Sequence, residues 1–230
     1  MTWKAIFTSS VGRKFVMGFT GIFLISFLII HVGINACIWA MDGGIMFNKA
    51  AHFMGSTVVI RIMEVGLFAG FIAHIVQGYL LELENRSKRG TAYQVNMGNK
   101  GSKWYSRSMG LLGTLILLFL LLHLAHFWVP ARFTHAGLEP IAYENTAVMH
   151  DMYGLMKATF TELWIVIAYV LGCISLAWHL MHGFHSAFRS LGVHNTRYLG
   201  MLQAMGYGFS LVVSLAFAMM PVSMYLNWVP

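Results

Sequence analysis

Long apolar runs separated by short polar ones dominate the chain. Five stand out, at about Phe15 to Ile38, Ile62 to Leu81, Met109 to Val129, Leu163 to Phe188 and Leu202 to Leu226. A helix needs roughly 20 mostly apolar residues to cross the hydrocarbon of a bilayer, and each run supplies them. Backbone in lipid must satisfy its hydrogen bonds within its own segment, so the runs predict helices. The fold class expected is all-α and integral to the membrane: a bundle of five transmembrane helices forming a single domain over residues 1–230. The connection from Pro130 to Glu162 carries Glu139, Pro140, Glu144 and Asp151 among Tyr, Met and Phe residues. That mixture predicts an interfacial segment with a short helix.

Lysine and arginine orient these helices. Lys4, Arg13 and Lys14 precede the first, Arg86, Lys88, Arg89, Lys100, Lys103 and Arg107 join the second and third, and Arg189 and Arg197 join the fourth and fifth. The opposite ends carry only Lys49, Arg132 and Lys157, with Arg61 at the mouth of the second. Cytoplasmic loops are the ones enriched in basic residues, which predicts a cytoplasmic N-terminus and an outside C-terminus.

Composition agrees with lipid as the solvent: 58% apolar residues, 10% charged and a mean hydropathy of +0.67 lie outside the range of soluble domains. The net charge of +7 is spread over short loops rather than one exposed face, which argues against nucleic acid as a partner. Cys37 and Cys173 are too few for a disulfide framework, and neither stands in a C-x-x-C-H arrangement that would attach a haem covalently. The first apolar run is followed by no small-residue cleavage pattern, so it is expected to be a retained span.

Seven of the eleven histidines fall inside the runs: His31 in the first, His74 in the second, His123 and His126 in the third, and His179, His182 and His185 in the fourth. An ionisable ring in a membrane needs a partner and marks function by default. Alternation of the helices sorts them by depth. His31 and His123 lie past the middle of outward-running helices, His74 and His182 past the middle of inward-running ones. Two pairs at two depths, each from two helices, would clamp one porphyrin near each surface. The expected cofactors are two haem b groups, held by His31 with His123 (outer) and by His74 with His182 (inner). Each imidazole would bind iron through one nitrogen and hydrogen-bond through the other, for which a carbonyl one turn earlier is the expected acceptor. Gly66, Gly70 and Gly78 share a face with His74, where they leave room for a macrocycle or for close helix packing. His126, His179 and His185 stand three residues from the chosen ligands. Arg13, Arg107, Arg189 and Arg61 are candidates to neutralise propionates or are ordinary flanking charge.

With FLISFLIIH ending at His31, FNKAAHFM over Phe47 to Met54, FIAHIVQGY around His74, GTLILLFLLLH from Gly113 to His123 and HGFHSAFRSLG from His182 to Gly192, the chain resembles a known family. It is similar along its length to the cytochrome b subunit of succinate:quinone oxidoreductases (succinate dehydrogenases and fumarate reductases), in the five-helix, two-haem form. The resemblance implies ligands at His31, His74, His123 and His182, paired as above. It also implies a flavoprotein with FAD and an iron-sulfur subunit on the cytoplasmic face of a bacterial inner membrane, menaquinone as the expected quinone, and complexes that often associate in pairs. His52 lies in the loop motif, where it would neighbour the outer propionates. One departure is Leu180, where some members carry a carboxylate two residues before the ligand.

Two other functions fit parts of the pattern. A cytochrome b of another anchored dehydrogenase would have different ligand spacings and lack FNKAAHFM. A metal or proton transporter would be colourless and have helices broken at mid-depth, which no run suggests; Pro221 is near an outer end. Glu64, the one acid inside a run, is expected to pair with Arg61 one turn away.

Overall fold

A computed structural model describes residues 9–89, 103–144 and 146–230. Lys4 and Lys100, which contribute to the expected orientation, lie outside the described residues, as do the side chains of Lys88 and Arg89. Among the described residues the architecture is all-α apart from one minimal hairpin, and five helices are long and apolar enough to cross a membrane, as a multi-pass membrane protein requires.

Helix α1 (Ser10–Asn35) begins where the Ser9 hydroxyl accepts the Gly12 N–H at 3.0 Å, a side-chain cap on an otherwise unpaired donor. It tightens into a 3-10 turn over Ala36–Ala40 and stops at left-handed Met41, Gly43 and Gly44. The Asp42 carboxylate then accepts from the N–H groups of Gly44 (3.1 Å) and Met46 (2.8 Å), starting α2 (Ile45–Ser56). This helix contains FNKAAHFM, which the sequence suggested as a loop. Helices α3 (Val58–Arg89), α4 (Trp104–Arg107) and α5 (Met109–His123) follow. Beyond His123 the chain widens into π-helical turns over Leu124–Trp128 and Pro130–Thr134. A two-residue hairpin pairs β1 (Pro140–Ile141) with β2 (Met149–His150), Pro140 opposite His150. The expected short helix is α6 (Met152–Thr159), capped by Asp151, whose carboxylate accepts the Gly154 N–H at 2.8 Å. Helices α7 (Leu163–Ser190) and α8 (Thr196–Tyr225) complete the chain, with Pro221 in the last turns of α8.

The chain forms two compact units. One comprises the described residues of Met1–Phe27, Gly66–Leu115 and Ser175–Leu211. Small residues let its helices approach: a side chain at Gly18 would meet the Ala187 carbonyl at 2.9 Å, and one at Gly70 the Phe23 ring at 2.9 Å. Fully buried Ser210 donates to the Ala177 carbonyl at 2.5 Å, a polar link between α8 and α7.

The other unit comprises Leu28–Val65, the described residues of Ile116–Ile174, and Val212–Pro230. Its core gathers Ile38, Phe47, Tyr153, Phe160, Tyr169 and Met220. Asn48, 1% exposed, ties α2 to the connection between α5 and α7. Its amide donates to the Tyr143 hydroxyl and to Asp151, both at 2.8 Å, and its oxygen accepts the Tyr153 N–H at 2.9 Å.

Candidate functional site

In the second unit, α1 and α5 bring His31 and His123 together, with ring centroids 5.8 Å apart and planes at 86°. The Asn35 amide donates to the His31 carbonyl at 2.8 Å and lies 3.4 Å from its Nδ1, holding the ring from one side. Around His123, Phe119 stacks at 5.9 Å, Phe127 tilts at 5.5 Å and Tyr169 stands edge-on at 6.0 Å. Phe119 lies beside Gly172, where an added side chain would reach within 2.5 Å of the ring. His126 turns from this pair: it stacks on Tyr169, its Nδ1 3.1 Å from the hydroxyl. His52 is exposed on α2, with its neighbours Phe47 and Asn48 buried instead.

In the first unit, the ring facing His74 is that of His179, at 6.2 Å and 65°. His182, the expected partner, contacts His185 at 5.5 Å. The reason lies in the helix bounds. Helix α3 outruns its apolar run at both ends, beginning at Val58 and reaching at least Arg89, so its middle lies at or beyond His74 rather than before it. Its partner on α7 must then be nearer that helix's middle, and His179 is about 4.5 Å closer to it than His182, three residues at 1.5 Å each. Glycines back both rings: the position of a Cβ at Gly21 is 3.7 Å from His74 Cε1, and at Gly113 3.9 Å from His179 Cε1.

Hydrogen bonding sets the protonation pattern of His74. The Thr20 hydroxyl donates to the Val16 carbonyl at 2.8 Å and lies 3.1 Å from His74 Nδ1. With its one proton used, Thr20 accepts from His74 Nδ1–H, which leaves Nε2 with the lone pair. The sequence suggested a carbonyl in this role; a hydroxyl from another helix fills it. The signal was a threonine in an apolar run, where a hydroxyl is read first as helix glue.

Two metal–nitrogen bonds of about 2 Å, one on each side of an ion, separate imidazole centroids by about 6 Å. Both pairs match that spacing. His123 Nδ1 and His179 Nδ1 are buried with no hydrogen-bond partner, although a stranded imidazole nitrogen costs about 1–3 kcal/mol. All four residues are only partly covered by protein. The residues present thus fit a haem held by two histidines. No group of three or more His, Cys, Asp or Glu side chains converges as a metal site among the described residues, and a porphyrin, bringing four nitrogens of its own, needs only two.

The candidate charges resolve differently. Arg13 pairs with Glu84 at 3.4 Å and Arg61 with Glu64 at 3.8 Å. The stronger partner of Glu64 is one the sequence did not indicate: Arg132, which reaches its two oxygens at 3.1 and 2.9 Å, while Trp128 Nε1 donates at 2.5 Å. Of the glycines near His74, Gly70 and Gly78 accommodate Phe23 and Met17 of α1, and Gly66 faces open space. No family model, curated protein or solved structure matches this chain.

Proposed function

We propose that this chain is a di-haem cytochrome b, a membrane subunit that carries electrons to or from quinone. The observation that carries the reading is that imidazoles from separate membrane-spanning helices face each other twice, at 5.8 and 6.2 Å. A haem held by two histidines would supply reversible one-electron transfer. The chain's own residues bind and orient. His31 and His123 hold one group; His74 and His179 hold the other, with His179 preferred to His182 because its ring is the one opposite His74. Thr20 keeps Nε2 of His74 unprotonated, and Phe119, Phe127 and Tyr169 exclude water around His123.

The family resemblance extends the proposal to the membrane anchor of a succinate:quinone oxidoreductase in a bacterial cytoplasmic membrane. The N-terminus then faces the cytoplasm, where the flavoprotein and iron-sulfur subunits dock, and dicarboxylate chemistry belongs to the flavoprotein. Menaquinone is the expected quinone.

The test is a dithionite-reduced minus oxidised spectrum and a pyridine haemochrome assay on the purified chain. Wild type is expected to contain two b haems per chain. His31→Ala, His74→Ala, His123→Ala and His179→Ala should each lose one, whereas His182→Ala should keep both. Folded protein without haem would overturn the reading; loss of a haem in His182→Ala but not in His179→Ala would return the fourth ligand to His182.

A further inference from the structure

A second polar convergence, separate from the histidine pair of the same unit, joins the residues just before α5 to α8. Gln203, Tyr207 and Leu211 recur every four residues on one face of α8. Lys103 Nζ donates to Tyr207 Oη at 2.5 Å, Gln203 Nε2 donates to the same oxygen at 2.7 Å, and Tyr105 Oη lies 3.0 Å from it. A phenol accepts two hydrogen bonds and donates one. An ammonium and an amide nitrogen only donate, so they fill both acceptor positions of Tyr207, and the Tyr207 proton goes to Tyr105. The proton of Tyr105 is left over. Burial, and after it the contact with Tyr207, holds the Tyr105 phenol above its ordinary range, so it remains a protonated donor.

That donor borders a groove of about 370 Å³ lined by Lys103, Tyr105, Met181, Tyr207, Gly208 and Leu211. A side chain at Gly208 would meet nothing within 4 Å, so the floor is open. Trp178 stacks on Tyr105 at 5.6 Å and 29°. Aromatic residues of an interfacial belt turn their polar atoms to the headgroups; here the polar atoms converge on one another and leave the Tyr105 hydroxyl proton and the remaining N–H groups of Lys103 as donors beside apolar walls. A lipid phosphate calls for several cationic donors, and Lys103 is the one cation among the lining residues. A flat apolar ring bearing a carbonyl oxygen is the complementary ligand.

We propose that this groove is a quinone site, in which Tyr105 O–H and the Lys103 ammonium bind a carbonyl oxygen while Met181, Gly208 and Leu211 take the ring. The proposal rests on the electron-transfer reading for the identity of the ligand. Its test is an equilibrium titration of the purified chain in detergent with 2-methyl-1,4-naphthoquinone, followed by quenching of tryptophan fluorescence, with haem counted in the same samples. Tyr105→Phe should weaken binding about tenfold, the worth of one hydrogen bond, and Gly208→Leu should abolish it. Lys103→Met, on an exposed side chain, gives the same direction of change should Tyr105→Phe fail to fold. Wild-type affinity in all the folded variants overturns the site, as does binding that phosphatidylglycerol displaces but Tyr105→Phe leaves unchanged. Variant-sensitive binding in protein without haem upholds the site and sinks the electron-transfer reading; haem without binding removes the site alone.

Discussion

A single proton illustrates how much of the His74–His179 pair depends on neighbours outside it. Thr20 spends its hydroxyl proton on the Val16 carbonyl, which obliges it to accept from His74 Nδ1–H and frees Nε2. Valine has nearly the same shape and no acceptor. Thr20→Val is therefore expected to leave the helix intact and, under the haem proposal, to lower affinity at the His74–His179 site by about 10- to 100-fold, the usual effect of removing the group that orients a ligating histidine. Haem per chain at limiting haem checks this, and Thr20→Ser, which restores the hydroxyl, should recover most of the loss. A steric counterpart exists in the other unit. Gly172 gives Phe119 the space to lie against His123, so Gly172→Leu should force the ring aside and destabilise the protein by about 1–3 kcal/mol, the range for overfilled cores. A denaturation midpoint reports it, and under the haem proposal the signal of the His31–His123 site should fall while that of the His74–His179 site persists.

At the scale of elements, the π turns after His123 need an external tie, because π geometry is rare in isolation and tends to be held at functional sites. Glu64 on α3 provides it, receiving Trp128 from the first π turn and Arg132 from the second. Both members of the ion pair are 19% exposed, and breaking such a pair leaves an uncompensated charge. Glu64→Gln should cost about 2 kcal/mol, read as a lower denaturation midpoint; the double variant Glu64→Gln with Arg132→Gln should cost less than the two single changes added together. The spans themselves are legible in the amino-acid order, since lipid demands long apolar runs, but their ends are not. Hydropathy stops at Leu81 because the lipid does, whereas α3 continues through Glu82, Glu84 and Arg86 to Arg89. That shift moves the midpoint of the helix and replaces His182 with His179 opposite His74. Helix α2 is hidden for another reason: it is short, and its apolar residues serve a local core through Phe47, a contact made only in the folded chain. Arg132 lies 68 residues from Glu64, beyond the reach of any spacing rule.

For the whole molecule, the division into two compact units matters because each contains one complete histidine pair. His31 and His123 belong to one, His74 and His179 to the other. Every ring contact described for His31, His74, His123 and His179 stays within its own unit. Sites that share no partner residue respond to substitution almost independently. Removing one ligand should therefore abolish one haem and spare the other. In a potentiometric titration, wild type is expected to show two b-type transitions. His123→Ala should keep the transition that His179→Ala loses, and the reverse, each surviving midpoint lying close to its wild-type value. A protein that loses both haems on either substitution would instead place the two sites in one cooperative unit, and the folding of each would then depend on the cofactor of the other. The same experiment bears on assembly. A haem that binds the folded chain would stabilise it by mass action, so under the haem proposal the thermal midpoint should rise as haem is added and level off at two equivalents per chain.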